Sequence, residues 1–222
     1  MSSEKNTKSR KRNYENEYPS VTEVLGQLRK IALENWFKFN TLEFINREGG
    51  KGRAVGTNIH NAIETYITTG EMKVETEYPD EVTNALKSFV LFTKEHPEIK
   101  LKLSELKMTS EKHKYNGTMD VDAEETDKTL VLIGDWKSGN CKEEAAPKIY
   151  DEHIEQLSAY DQLNQECRGV RADKGFIAVF AKDKVAYGFK WVSRNELDDA
   201  FENVFLPALK ITNYRRRPKN AV

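Results

Sequence analysis

A chain of 222 residues with 38% hydrophobic and 32% charged side chains has the size and make-up of one substantial soluble domain and is too short for two comfortable ones. Its formal net charge of -1 gives no support to a globally basic nucleic-acid binder, and no apolar run approaches the roughly 20 residues that span a bilayer, so a cytoplasmic protein without a membrane partner is expected. Two cysteines, Cys141 and Cys167, cannot by themselves hold an iron–sulfur cluster or a structural zinc; free thiols are expected, with a disulfide as the alternative.

Residues 1–17 are polar, charged and aperiodic, and read as a disordered basic tail. They lack the apolar stretch of a secretory signal and the amphipathic pattern of a transit peptide. Residues 1–12 carry five cations against Glu4, and residues 210–220 carry five cations and no acid. The two ends therefore sum to +9 and leave -10 for the middle. Solvated tails and a tail touching phosphate backbone both fit that distribution.

Order is expected from Tyr18-Pro19-Ser20. Ser20-Val21-Thr22-Glu23 fits a capping box, and one helix is expected to about Phe39, with Val21, Val24, Leu25, Leu28, Ile31, Ala32, Asn35 and Trp36 on a broad face. Glu48-Gly49-Gly50-Lys51-Gly52 reads as a flexible loop. A second helix spans about Ala54 to Thr68 and stops at Gly70. A third spans about Asp80 to His96, before Pro97. The period then changes from helical to alternating. Ile99–Met108, Tyr115–Ala123 and Thr129–Trp136 read as three strands of a meander. An amphipathic helix follows at about Lys148–Glu166. Strands at Gly175–Ala181 and Val185–Val192, joined by Lys182-Asp183-Lys184, precede a last helix at about Arg194–Thr212. This order predicts one α/β domain with a mixed sheet, and residues 213–222 read as a second basic tail.

The chemistry concentrates on the strands. Asp135 and Lys137 lie two apart at the polar end of the apolar run Leu130–Gly134, so they share a strand face. A carboxylate there can bind a hard cation, and the ammonium can hold a phosphate oxygen. On the preceding strand, Met119, Val121 and Ala123 alternate with Asp120 and Asp122. Asp120 can converge with Asp135 on one cation, Asp122 reads as a solvated acid, and Gly117 permits a bulge or a close backbone approach. Glu105 is expected to be part-buried beside Leu101 and Leu103, and so to need a metal-linked water or a lysine as partner. His60 can complete a metal shell, with Glu64 four residues on orienting its ring. Gln156 and Tyr160 share one helix face. For His60, Gln156 and Tyr160 taken singly, an ordinary surface or packing role is the commoner one.

Taken together and in this order, His60, Glu105, Gly117-Thr118-Met119-Asp120, Asp135-Trp136-Lys137 and Gln156-Leu157-Ser158-Ala159-Tyr160 resemble the RecB-type branch of the PD-(D/E)xK nuclease superfamily. Tyr18-Pro19-Ser20-Val21-Thr22-Glu23-Val24-Leu25, the helix with Trp36, the Gly56–Glu64 segment and Gly134-Asp135-Trp136-Lys137-Ser138 look most like the mitochondrial genome maintenance exonuclease family. The likeness spans about residues 18–212. With no long leader in front of it, a bacterial or phage relative is expected.

The resemblance implies an α/β fold with a restriction-endonuclease-like core at 98–212 and an N-terminal helical layer at 18–97. It implies Mg²⁺ or Mn²⁺ on Asp120, Asp135, the Trp136 backbone carbonyl and His60, with no iron–sulfur cluster. Asp120, Asp135, Lys137 and Glu105 would form the catalytic set, with Lys137 on the scissile phosphate. Gln156, Tyr160 and Ser138 would touch DNA, single-stranded or with single-stranded ends. In relatives a helical layer forms a groove through which single-stranded DNA threads, and Trp36, Phe37, Phe39, Tyr66 and Tyr78 are candidates for stacking bases there, with core packing the commoner role for most of them. The function implied is a DNA exonuclease of repair, recombination or replication. The alternatives are an endonuclease of the same superfamily and a non-catalytic DNA-binding subunit on its fold. No Gly-rich phosphate loop or nucleophile elbow points to another hydrolase.

Overall fold

A computed structural model describes residues 18–72, 77–126, 128–141 and 145–217. The expected disordered tail at 1–17 lies outside the described residues, as does the end of the expected C-terminal tail. The helices α1 (Val21–Leu25), α2 (Ile31–Phe39), α3 (Leu42–Thr69) and α4 (Asp80–Glu95) come first. Strands β1 (Ile99–Ser110), β2 (Tyr115–Glu125) and β3 (Leu130–Gly139) follow. Then come α5 (Asp151–Arg168), β4 (Lys174–Ala181), β5 (Tyr187–Ser193), α6 (Arg194–Ala200), one π-helical turn (Phe201–Phe205) and α7 (Leu206–Arg216).

The sheet order is β1-β2-β3-β4-β5. β3 and β4 are parallel and every other neighbouring pair is antiparallel. A parallel pair cannot be joined by a hairpin, so α5 serves as the crossover between them. It covers one face of the sheet together with α1, α6, the π-turn and α7, around Ile133, Leu157, Leu163, Ile177 and Phe205. α3 and α4 cover the other face around Ile59, Phe89, Leu132, Trp136 and Phe176. The expected α/β class, mixed sheet and helical N-terminal region are therefore what the chain adopts.

The helices depart from expectation at three places. The single helix expected from Ser20 to Phe39 is two. Ser20 caps α1, its hydroxyl accepting the Glu23 N–H at 3.1 Å, but Gly26 ends it, and α2 starts only at Ile31. Glu48–Gly52, expected as a loop, lies inside α3. Thr41 caps that helix at one end, accepting the Phe44 N–H at 3.3 Å, and Gly70 closes it at φ 75°; with strong caps at both ends, the glycines between are carried through in spite of their poor propensity. The last expected helix contains a π-turn and continues to Arg216, into the stretch expected as tail.

Two glycines mark close approaches that position the strands. A Cβ at Gly134 would stand 2.3 Å from Phe176 Cζ and 2.5 Å from Val121 Cγ1. One at Gly117 would stand 2.8 Å from Tyr160 Cε1, which is the close approach expected there, with β2 pressed against α5. By contrast, a Cβ at Gly50 or Gly52 would meet nothing within 4 Å.

Alanine should therefore act in opposite directions at these positions. Gly134→Ala is expected to lower stability by about 1–3 kcal/mol through overpacking. Gly50→Ala and Gly52→Ala are each expected to raise it by about 0.5–1 kcal/mol through helix propensity. Urea midpoints of the three variants read both effects, and a loop at 48–52 would show no gain.

Candidate active site

The site forms where β2 and β3 part. Their pairing runs from Glu125↔Leu130 to Val121↔Gly134 and stops there. Beyond that point the Trp136 N–H donates to Asp120 Oδ2 at 2.8 Å, a side chain standing in for the missing ladder partner. β3 keeps its pairing with β4 on its other side as far as Gly139↔Ala181, so the residues that follow Gly134 are held rigidly while one edge is open.

Strand parity then separates the roles. The Trp136 indole, 1% exposed, is locked among Phe89, Phe92, Phe176 and Phe180 on the α3/α4 face. Asp135 and Lys137 project to the other side. Asp135 is fully buried, and neither of its oxygens receives an aligned hydrogen bond among the described residues, although the Lys137 ammonium stands 2.5 Å from Oδ2. Burial pushes the Asp135 carboxyl up to about 6; Lys137 pulls it down and the Asp120 charge pushes it further up. For Lys137, burial acts to lower the pKa, but Asp135 and Asp120 outweigh it and hold the ammonium above its ordinary value. Lys137 Nζ also lies 3.3 Å from the Trp136 carbonyl, to which it donates.

Glu105 reaches the site by an unusual backbone. Its φ is 54°, in the left-handed region that a non-glycine residue seldom occupies, and such strain tends to gather at functional sites. Ser104↔Val121 and Leu106↔Met119 pair on either side of it, so Glu105 faces Asp120 across the hairpin. The alternation also resets here: Met119 packs on the α5 face, whereas Val121 and Ala123 pack on the α3/α4 face. The expectation that Met119, Val121 and Ala123 share a face fails because of this reset and the nearby irregularity in register between Leu101 and Leu103. Leu103, expected to be covered beside Glu105, is 44% exposed.

α3 brings His60 over this edge. His60 Nδ1 lies 3.2 Å from Glu105 Oε1 and 3.8 Å from Asp120 Oδ1. The expected orienting residue, Glu64, is displaced from that role: it sits along the same groove, but the imidazole is held by Glu105. Burial acts to lower the His60 pKa, and the Glu105 hydrogen bond with the Asp120 charge raises it overall. Ligand atoms of His60, Glu105 and Asp120 lie within 4.8 Å of one another. Asp135 is not one of the three; it sits deeper, next to Lys137. Carboxylate oxygens are the donors a hard divalent cation takes, imidazole nitrogen is a donor for first-row metals, and the buried Asp135 Oδ1, without a hydrogen bond among the described residues, is a second feature that a cation would satisfy, so the residues fit one.

α5 supplies the rest. Gln156 Nε2 donates to the Tyr160 hydroxyl at 2.8 Å. Tyr160 is only 4% exposed, so it supports Gln156 rather than presenting a surface, and burial with the neighbouring Asp120 and Asp135 charges holds its hydroxyl well above the ordinary phenol range. Ser138 is half-buried one residue beyond Lys137. Asp122, expected as a solvated acid, is 6% exposed and pairs with Arg168 of α5 at 2.9 Å, because the parity that sends Val121 and Ala123 to the α3/α4 core sends Asp122 under α5.

Sequence reading missed His153. It is 8% exposed and close enough to Asp135 and Lys137 to feel both charges, while burial keeps its pKa low. The Tyr150 N–H donates to its Nδ1 at 3.4 Å, which leaves the ring proton of the neutral form on Nε2. Its place one helical turn before Gln156 was the available signal. Cys141 and Cys167 are both free thiols, and no helix among the described residues is long and apolar enough to cross a membrane.

No family model and no curated protein matches this chain. Among solved structures, it resembles a protein named as a candidate exonuclease from Eubacterium rectale, with a TM-score of 0.52 and 15% identity over 94% of this chain and 88% of that one. A phage-related exonuclease from Haemophilus somnus 129PT gives 0.39 and 15% over 90% and 94%. An alkaline exonuclease from Laribacter hongkongensis gives 0.35 and 14% over 72% and 83%. At such identity the first likeness is one of fold: a restriction-endonuclease-like core, its mixed five-stranded sheet flanked by helices.

The buried carboxylate sets the pH behaviour. Because its folded pKa lies above the ordinary carboxylate value, ionised Asp135 lowers stability above about pH 6, and that penalty disappears as the pH falls below both values. Asp135→Asn is therefore expected to stabilise the metal-free protein at pH 8 by about 1–2 kcal/mol, less than the full shift because Lys137 loses its partner. The gain should fade between about pH 6 and 4. Added Mn²⁺ should raise the melting temperature of the wild type and leave that of Asp135→Asn nearly unmoved, which thermal denaturation at both pH values measures.

Proposed function

We propose that this protein is a metal-dependent DNA exonuclease of the PD-(D/E)xK superfamily, in the RecB-type branch and most like the mitochondrial genome maintenance exonucleases. It hydrolyses phosphodiester bonds from ends that are single-stranded. The observation that carries this reading is the buried Asp135–Lys137 pair at the open edge of β3, facing the His60, Glu105 and Asp120 cluster. A structural ion pair has no need of a second carboxylate group and an imidazole aimed at the same opening.

In this reading residues 98–212 are the catalytic core and residues 18–97 a helical layer over it. Asp120, Asp135, the Trp136 carbonyl and His60 hold Mg²⁺ or Mn²⁺, and Glu105 completes the catalytic set. When bound, the cation supplies charge that offsets the negative charge building on the phosphoryl oxygens. Lys137, kept protonated by the two aspartates, donates to a non-bridging oxygen of the scissile phosphate and keeps it in line for attack by water. Glu105 fixes the His60 ring. Gln156, steadied by Tyr160, and Ser138 contact the strand. The setting is DNA repair, recombination or replication in the cytoplasm of a bacterium or of a phage-infected cell.

End-labelled single-stranded, duplex and circular DNA, incubated with Mg²⁺, Mn²⁺ or EDTA, tests the reading. Linear single strands should shorten only with metal, circles should survive, and Asp135→Ala and Lys137→Ala should each reduce the rate by about 10²-fold or more. Cutting of circles would replace the exonuclease by an endonuclease. DNA binding without cleavage under either metal would leave a non-catalytic subunit.

A further inference from the structure

Between Leu28 and Val55 no described residue belongs to, or packs against, either core of the protein. That stretch holds α2 and the first half of α3, and it is far from uniformly polar. Leu33, Phe37, Phe39, Leu42 and Phe44 are 43%, 49%, 84%, 73% and 37% exposed, and they make up half of the large hydrophobic side chains that stand in water among the described residues. An amphipathic helix normally turns its apolar side chains toward a core; here they face solvent. They are also contiguous. α2 ends and α3 begins at the extended pair Asn40 and Thr41. The Trp36 ring stands 5.4 Å from that of Phe37 and, across this corner, 6.5 Å from that of Phe44. Together the five side chains leave on the order of 500 Å² of apolar surface in water, near the upper end of the largest patch on an ordinary monomer.

We propose that this corner is the interface of a two-fold dimer, in which α2 of each copy lies along the first half of α3 of the other. Charge and symmetry select that occupant. Residues 33–48 carry two cations and three acids, and Arg29 and Arg47 are already engaged by Glu34 at 2.9 Å and Glu48 at 3.0 Å. The patch therefore has no excess of positive charge for a phosphate backbone or an anionic lipid surface. A two-fold axis brings residue i of one copy to residue j of the other and j to i, so a patch that meets itself needs apolar groups and opposite charges at mirrored places. Counted outward from the Asn40–Thr41 corner, Phe39 mirrors Leu42, Lys38 mirrors Glu43, Phe37 mirrors Phe44 and Glu34 mirrors Arg47. An axis along the bisector of the corner sets Lys38 of each copy against Glu43 of the other. Both side chains are exposed, and neither is held in an ion pair within the described part of the chain. Two copies would remove about 1,000 Å² of apolar surface from water before any polar rim is added, the scale of a specific interface. The consequence for the site runs along α3. Phe44 and His60 lie on this one helix, about 24 Å apart along its axis. The half of α3 that no core of its own chain holds would be fixed by the second copy, and with it the helix that lays His60 over the gap. The pairing itself does not depend on the nuclease reading.

Sedimentation velocity on the full chain, without DNA and over a wide range of protein concentration, should show a monomer–dimer equilibrium. Phe39→Ala and Leu42→Ala should each raise its dissociation constant roughly 10- to 100-fold, and because both side chains are exposed in the single chain, helical content should not change. Lys38→Glu and Glu43→Lys should each weaken pairing roughly 5- to 50-fold by setting like charges against each other. Mixed together, the Lys38→Glu chain and the Glu43→Lys chain should pair with one another in preference to themselves, and both changes in one chain should restore the dimer. Amide hydrogen exchange across residues 33–50 should slow as the concentration rises. A monomer at every concentration overturns the proposal, as does a dimer that these substitutions leave unchanged, or a charge-swapped mixture that does not pair. A monomer in which Phe39→Ala weakens DNA binding also overturns it, and would make the corner part of a nucleic-acid path. Charge-dependent pairing by a chain that cleaves nothing would sink the nuclease reading and leave this one standing.

Discussion

A carboxylate that is fully buried and left without an aligned hydrogen bond is among the costliest things a fold can hold. Asp135 is in that position, and the structure around it is arranged to keep it there. Lys137 sits on the same strand face at 2.5 Å. Trp136 between them is fixed in the opposite core by four aromatic neighbours. The pairing of β3 with β4 prevents the strand from twisting the charge out to solvent. The Asp120 charge adds to the burial that raises the Asp135 carboxyl, and a divalent cation would offset that cost.

The opening of the sheet is the second requirement. A strand edge that leaves its partner would leave its N–H groups bare. Here Asp120 takes up the Trp136 N–H with one oxygen and turns the other toward His60. The left-handed Glu105 on β1 resets which side chains face which layer, so one hairpin feeds both the α5 core and the α3/α4 core and still presents a carboxylate at the gap. Local strain at Glu105, a broken ladder at Gly134 and a buried charge at Asp135 thus lie within a few residues of one another across three neighbouring strands.

The helical layer borders this gap through α3. α3 lays His60 over it, with Arg53, Asn61 and Lys107 along the same groove. α2 and the N-terminus of α5 line a separate groove, where Trp36 and Tyr150 stand beside Arg29, Lys30 and Lys148 and the acids Asp151, Glu152 and Glu155.

Periodicity and spacing alone placed the strands, the crossover helix α5 and the Asp-x-Lys run, because burial in a sheet imposes alternation that is readable residue by residue. The ordered set of His60, Glu105, Asp120, Asp135, Lys137, Gln156 and Tyr160, three of them on helices, was legible only through its resemblance to a known nuclease pattern. Whatever depends on a partner distant in sequence was decided only by the tertiary structure. The split between α1 and α2 and the passage of α3 through Gly49, Gly50 and Gly52 depend on caps and packing that outweigh local propensity. The choice of Glu105 over Glu64 as the companion of His60 depends on a backbone angle that a composition pattern cannot express. The burial of Asp122 against Arg168 and the approach of His153 to Asp135 arise because α5 crosses the sheet where it does. Sequence determined which groups are available and on which kind of element each lies; the fold determined which of them meet, because distance and burial are properties of pairs.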